Sequence, residues 1–341
     1  MTIVAAHRPV GIPVLIGDFL ISRGDKRFRG RKKISRVRDN LAVGWAGTFV
    51  AATAVLHQMR QELSERPTIV EVDQWLSACD PTLSNGQQLK LVGWVVDDEP
   101  TGFHWDGGSP SVVTEGDEWF IGSGSSGYEL AARRYMTPPD PGSTPDEREA
   151  LERIVPVLAS ANCDDMITRS GYDIGVGGGY EALYWAPAQD RFLYVEDISY
   201  FVVIADMDAR GRLRAPFRIA DPLRRYWTVE DCSFLAVAEG GRDDPAEIWA
   251  MTSAGDTDTN GALAVLANLD EGPIQMKSSY YGGVIVFRTP HVGQLTAPFV
   301  GCPWDTGQTR IKGGIGRLEV SLAREELEHG FAEMVRYGVR R

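Results

Sequence analysis

The apolar positions of this chain change period several times, and each change marks an element. Residues 2–6 (TIVAA) and 12–21 (IPVLIGDFLI) are runs rich in β-branched residues, with Pro9 and Gly11 between them, so the pattern predicts two strands of a hairpin. NLAVGWAG (40–47) reads as a further strand that ends at glycine. From 48 to 64 the spacing turns helical: Phe49, Ala52, Val55, Leu56, Met59 and Leu63 fall on one stripe. A second helix is predicted over 69–78, then strands over 89–97 and 118–121 around a Gly/Pro-rich hairpin. Helices over 128–136 and 146–161 flank TPPDPGSTPD, where Pro138, Pro139, Pro141 and Pro145 exclude a helix. Strands over 172–185 and 191–205 follow, around the turn APAQD.

After Asp206 the texture changes. A charged connector leads to Trp227, and short apolar runs such as GGVIVF (282–287) then alternate with glycine loops. The last clear element is a helix over about 321–337. The pattern divides the chain into a core, 2–205, and an extension, 206–341, and no internal repeat is visible. A length of 341 residues allows this division, and 43% hydrophobic with 24% charged residues excludes a disordered, collagen-like or coiled-coil chain.

Charge narrows the partners. The net charge of -12 argues against a general nucleic-acid binder. Residues 23–38 nevertheless carry nine basic side chains against Asp25, a local +8 that leaves the remainder at -20. Phe28 alone interrupts that run with an aromatic ring, so base-stacking recognition is not expected. Cys79, Cys163, Cys232 and Cys302 form no CxxC pair, and the five histidines show no metal-ligand spacing. We therefore expect reduced thiols, no metal and no cofactor. GSGSSG (122–127) matches a dinucleotide-loop pattern only formally, because no βαβ unit with a following acid continues it. The apolar start lacks the charge pattern of a signal peptide and no long apolar span exists, so the expected location is cytoplasmic, away from membranes.

The chemistry lies at the chain start. Thr2 follows the initiator methionine, which is generally removed before a small residue. A terminal threonine carries a hydroxyl and an amine on adjacent carbons, and the amine can act as base for the hydroxyl. An α-amino group suits this work because it titrates near about 7.7–8.0.

The segment TIVAAHRPVGIPVLIGD resembles the opening of proteasome β-type subunits and their bacterial relatives, which begin with Thr and place a carboxylate sixteen residues later; Asp18 stands at that spacing. In KKISRVRDNLAVGWAG, Lys33 precedes Gly47 by fourteen residues, the family's spacing between its site lysine and the glycine that opens the first helix. The Thr-to-Lys spacing is one residue shorter than the family's, which leaves Lys32 as a second, weaker candidate. FIGSGS (120–125) resembles the family's Gly-Ser-Gly strand end, with Ser123 as the serine that supports the terminal amine. DIGVGGGYEALYW resembles its Asp-x-x-Ser-Gly strand, with Asp173 and Gly177 in place and Val176 where the family has serine.

The resemblance covers about residues 2–205 and implies an α+β fold, a four-layer αββα sandwich of the N-terminal-nucleophile hydrolases. It implies that Thr2 attacks a peptide or other amide carbonyl to form an acyl-enzyme. The resemblance further implies that Lys33 lowers the hydroxyl and amine pKa values, that Asp18 holds Lys33 charged, and that the Gly47 N–H stabilises the oxyanion. Its implied partners are a peptide or protein substrate, further copies of the chain and an ATP-dependent unfoldase. The missing hydroxyl at Val176 and the long extension also admit a weak or inactive scaffold or binding protein, and other N-terminal-nucleophile folds admit a small-molecule amidase.

Overall fold

The structure of the chain is a computed structural model. It describes residues 3–23, 26–29, 31–79, 89–116, 118–124, 147–168, 178–229, 232–238, 247–251, 253, 278–291, 293–301, 310–314 and 317–338. The chain is mixed α+β, with largely antiparallel sheets, and it groups into two units. The first unit comprises residues 1–195 with 228–234 and 249–269; the second comprises 196–227, 235–248 and 270–341.

Two sheets build the first unit. Strands β1 (Val4–His7) and β2 (Val14–Asp18) pair as the predicted hairpin, around a 3-10 turn at Pro9–Gly11. β1 also pairs with β9 (Trp119–Ile121), and β2 with β10 (Tyr180–Ala186), which pairs in turn with β11 (Arg191–Tyr194). The second sheet runs in the order β5 (Ile34–Arg38), β6 (Leu41–Gly47), β7 (Leu89–Val96), β8 (Pro100–Asp106). β3 (Leu20–Arg23) and β4 (Lys26–Arg29) form a separate two-stranded ribbon that leads into the basic segment.

β8 was not expected from the sequence. It is the direct partner of β7, so the predicted hairpin between 89–97 and 118–121 does not form. The run 12–21 breaks at Phe19 into β2 and β3, and the run 191–205 breaks at Asp197, whose φ is 53°. The predicted helix 128–136 lies outside the described residues.

The pleat of β6 explains its unbroken apolar run. Leu41, Val43 and Trp45 pack with α1 (Phe49–Glu62) and α2 (Ile69–Ala78) through Ala52, Val55, Leu56, Met59, Val72 and Leu76. The alternate residues face the other sheet: an added Cβ at Gly44 would stand 2.4 Å from Val4 Cγ1. β6 is thus buried on both faces, which is why it reads as continuous rather than alternating. β1 lies against β6 and β7, β2 against β5 and β6, and β10 against β5. The third helix, α3 (Glu147–Thr168), packs on β10 and outlasts its predicted end at 161. Arg38 closes the C-terminal end of α1, where Nη2 donates to Leu63 O at 2.7 Å and Nε to Ser64 O at 2.8 Å. Those carbonyls have no partner inside the helix, and a cation there suits the negative end of its dipole.

The second unit contains most of a six-stranded sheet in the order β15 (Glu247–Met251), β14 (Cys232–Ala238), β13 (Arg218–Val229), β12 (Ile198–Asp206), β16 (Tyr280–Thr289), β17 (Gly293–Gly301). The stretch expected as a charged connector therefore carries a strand, β13, whose arginines hid its sheet character. β18 (Arg310–Gly314) and β19 (Arg317–Ser321) form a ribbon, and α4 (Arg324–Gly338) buries Leu327 and Phe331 against Leu213 and Phe287. Among the described residues, no helix is long and apolar enough to cross a membrane.

Candidate active site

β2 ends on a buried carboxylate. Asp18 is fully buried, and its Oδ1 accepts a hydrogen bond from Ile3 N at 3.1 Å while its own N donates to Ile3 O at 3.2 Å. The backbone at the chain start is therefore tied to Asp18 twice.

Lys33 lies in the approach to β5 and is 2% exposed. Two features put it there. Gly17 of β2 lets the two sheets close: an added Cβ would come within 2.9 Å of Ile34 Cγ2 and 3.1 Å of Lys33 Cβ. Trp45 then fixes the lysine's backbone, its N donating to Lys33 O at 2.9 Å and its Nε1 to Lys32 O at 3.2 Å. The Lys33 ammonium lies 4.4 Å from the centre of the Trp45 ring.

Burial pulls the pKa of Lys33 from 10.5 down to about 8, and the negative charge of Asp18 opposes but does not cancel that pull. Lys33 is thus mainly an ammonium at pH 7 and loses its charge within the range where enzymes commonly work. That qualifies the expectation that Asp18 simply holds it charged.

Lys32, the neighbouring candidate, faces a different carboxylate. Its Nζ is 3.4 Å from Glu181 Oε2, and both side chains are fully buried. The same Nζ lies 3.4 Å from the centre of the Tyr194 ring. Ser233 Oγ donates to Glu181 Oε2 at 2.9 Å. The structure thus pairs Lys32 with Glu181 of β10 and sets the adjacent Lys33 within electrostatic reach of Asp18 at the end of β2.

The remaining predicted residues are placed as follows. Gly47 is exposed at the end of β6, one residue before the α1 cap at Thr48, and its φ of 121° belongs to a region that glycine alone enters readily. Ser123 is exposed in the turn that follows β9. Thr2, Asp173, Val176 and Gly177 lie outside the described residues.

Glu181 and Ser233 were missed by sequence reasoning. A signal for Glu181 did exist, since an acid within YEALYW is a charge inside a strand that is otherwise fully apolar. Ser233 carried none. No protein-family model matches this sequence, and no curated protein matches it significantly.

Proposed function

We propose that this chain is an N-terminal-nucleophile threonine hydrolase of the proteasome-like class, cleaving amide bonds through an acyl-enzyme on Thr2. In this reading the first unit is a four-layer αββα sandwich, with α1 and α2 covering one sheet and α3 the other. The observation that carries it is Asp18, which holds the backbone of Ile3 while its charge acts on the buried Lys33.

The strand register supports the same reading. Val4 pairs with Ile121 and Ala6 with Trp119. β9, the strand that leads into the Ser123 turn, is thus the direct neighbour of β1.

The chemistry follows from these placements. The Lys33 ammonium stabilises the alkoxide as the Thr2 hydroxyl gives its proton to the terminal amine. The alkoxide oxygen bonds the carbonyl carbon and the C–N bond then breaks, the leaving amine taking the proton from the terminal ammonium. Water, deprotonated by the same amine, cleaves the ester and restores Thr2. The Gly47 N–H is the oxyanion donor, a contribution typically of ~3 kcal/mol.

The reading requires a free amine on Thr2. Intact mass after incubation with an epoxyketone or β-lactone tests it directly. One adduct per chain, lost in Thr2→Ala, is the expected result; retained Met1 or an acetylated Thr2 in the natural protein refutes it. Val176 favours a second reading, a weakly active or inactive scaffold in which Asp18 and Lys33 serve only to hold the chain start.

A further inference from the structure

Ser233 is remote in sequence from the site, yet it groups with the first unit and bonds a buried carboxylate there. We propose that Ser233 is a positioning residue for the candidate active site, acting through Glu181 and Lys32 to hold Lys33 in place beside Asp18. This inference rests on the hydrolase reading only for its effect on rate.

Lys32 and Lys33 share one stretch of held backbone. They are consecutive, their carbonyls are both held by Trp45, and their ammonium groups point to different carboxylates. Both side chains therefore start from one backbone frame that Trp45 holds at two successive carbonyls. The carboxylates are likewise locked together: in the β2–β10 register Asp18 pairs with Tyr180, and Gly17 with Glu181. Two adjacent residues on one segment are therefore matched to two neighbouring strands, as a pair of buttons fixes a seam that one button leaves free to pivot.

Glu181 sets the strength of that second fastening. A fully buried carboxylate must be compensated by charge and by hydrogen bonds, and Lys32 and Ser233 both supply its Oε2. Losing the hydroxyl weakens the compensation of a buried charge and loosens Lys32, and the loosened backbone lets Lys33 move out of its apolar setting. Residues 228–234 belong to the part of the chain after the sandwich strands, so the extension supplies a working piece of the core rather than an appendage.

The test is lysine-selective NMR titration of the full chain, with Lys33 assigned through Lys33→Arg. Ser233→Ala should raise the Lys33 pKa by about one unit, toward the ordinary lysine value, because desolvation is the main cause of its depression. Ser233→Thr, which keeps the hydroxyl, should restore the original titration. Adduct formation with the β-lactone should slow about tenfold in Ser233→Ala and recover in Ser233→Thr. An unchanged Lys33 titration in folded Ser233→Ala overturns the proposal. If Ser233→Ala does not fold, Glu181→Gln is titrated instead, with the same expected rise and the same refuting result. No adduct in the wild-type protein, with the lysine shift as expected, sinks the hydrolase reading alone.

Discussion

The buried amine of Lys33 should write itself into the pH dependence of stability. Its pKa is about 8 in the folded chain against 10.5 in the unfolded chain, so between those values the unfolded state binds the extra proton. The sign follows: stability contributed by Lys33 rises as pH climbs from 8 toward 10.5, and it is flat below 8, where both states are protonated. At about 1.36 kcal/mol per pH unit, the full rise is about 3 kcal/mol, of which most is reached by pH 10. The perturbation is Lys33→Met, which keeps the volume of the stem and removes the titrating group. The assay is urea unfolding of both proteins from pH 7 to pH 10, read by emission from the buried Trp45, Trp94 and Trp105 of the first unit. Other groups titrate in both proteins and largely cancel in the difference. The stability of wild type relative to Lys33→Met should rise across this range by about 2–3 kcal/mol. A difference that stays level, or falls with pH, means that Lys33 is not desolvated as the structure has it.

Three further outcomes are expected. Lys33→Ala should abolish acyl-enzyme formation, measured by intact mass; loss in Lys32→Ala with none in Lys33→Ala would move the site lysine by one position. Gly44→Ala should destabilise the protein by about 1–3 kcal/mol in thermal or urea unfolding, because the new methyl meets Val4 across the sheets and both are in packed strands. In light scattering the chain should form a homo-oligomer that weakens as salt rises, given the +8 segment on an otherwise acidic chain; a single species near 37.5 kDa at every salt concentration refutes this.

The elements most legible in the sequence were those with one strong period. The stripe from Phe49 to Met59 gave α1, and the apolar runs around Pro9 and Gly11 gave the β1–β2 hairpin, because local spacing alone decides such features. The misses have physical causes. β8 reads PTGFHWD, where proline, glycine and histidine obscure a strand that is held by β7 along its length and by a single bridge from His104 to Val113. β13 begins RIADPLRRYW, a charged stretch in which only part of each face is apolar. For the candidate site, Asp18 and Lys33 were nominated by spacing, sixteen residues after Thr2 and fourteen before Gly47, in the pattern of the family the chain resembles. Glu181 had a local signal, an acid inside an apolar strand, but its partner Ser233 had none, because their meeting depends on a contact between segments 52 residues apart.

The parallel pairing of β12 with β16 has a consequence for how the chain is made. Ile198 through Asp206 pair with Tyr280 through Arg288, and everything from 207 to 279 is synthesised between them. At about 5–20 residues per second, β12 leaves the ribosome several seconds before its parallel partner exists. β13 arrives sooner and covers one edge of β12, in antiparallel register. The other edge, along ISYFVVIAD, waits unpaired, with the nearly continuous apolar and β-branched character that recruits other chains. Expression temperature and ribosome-bound chaperones therefore bear directly on yield, and slower synthesis across 207–279 lengthens the exposure of that edge. The hazard of this edge belongs to a nascent interval, before Tyr280–Arg288 covers it.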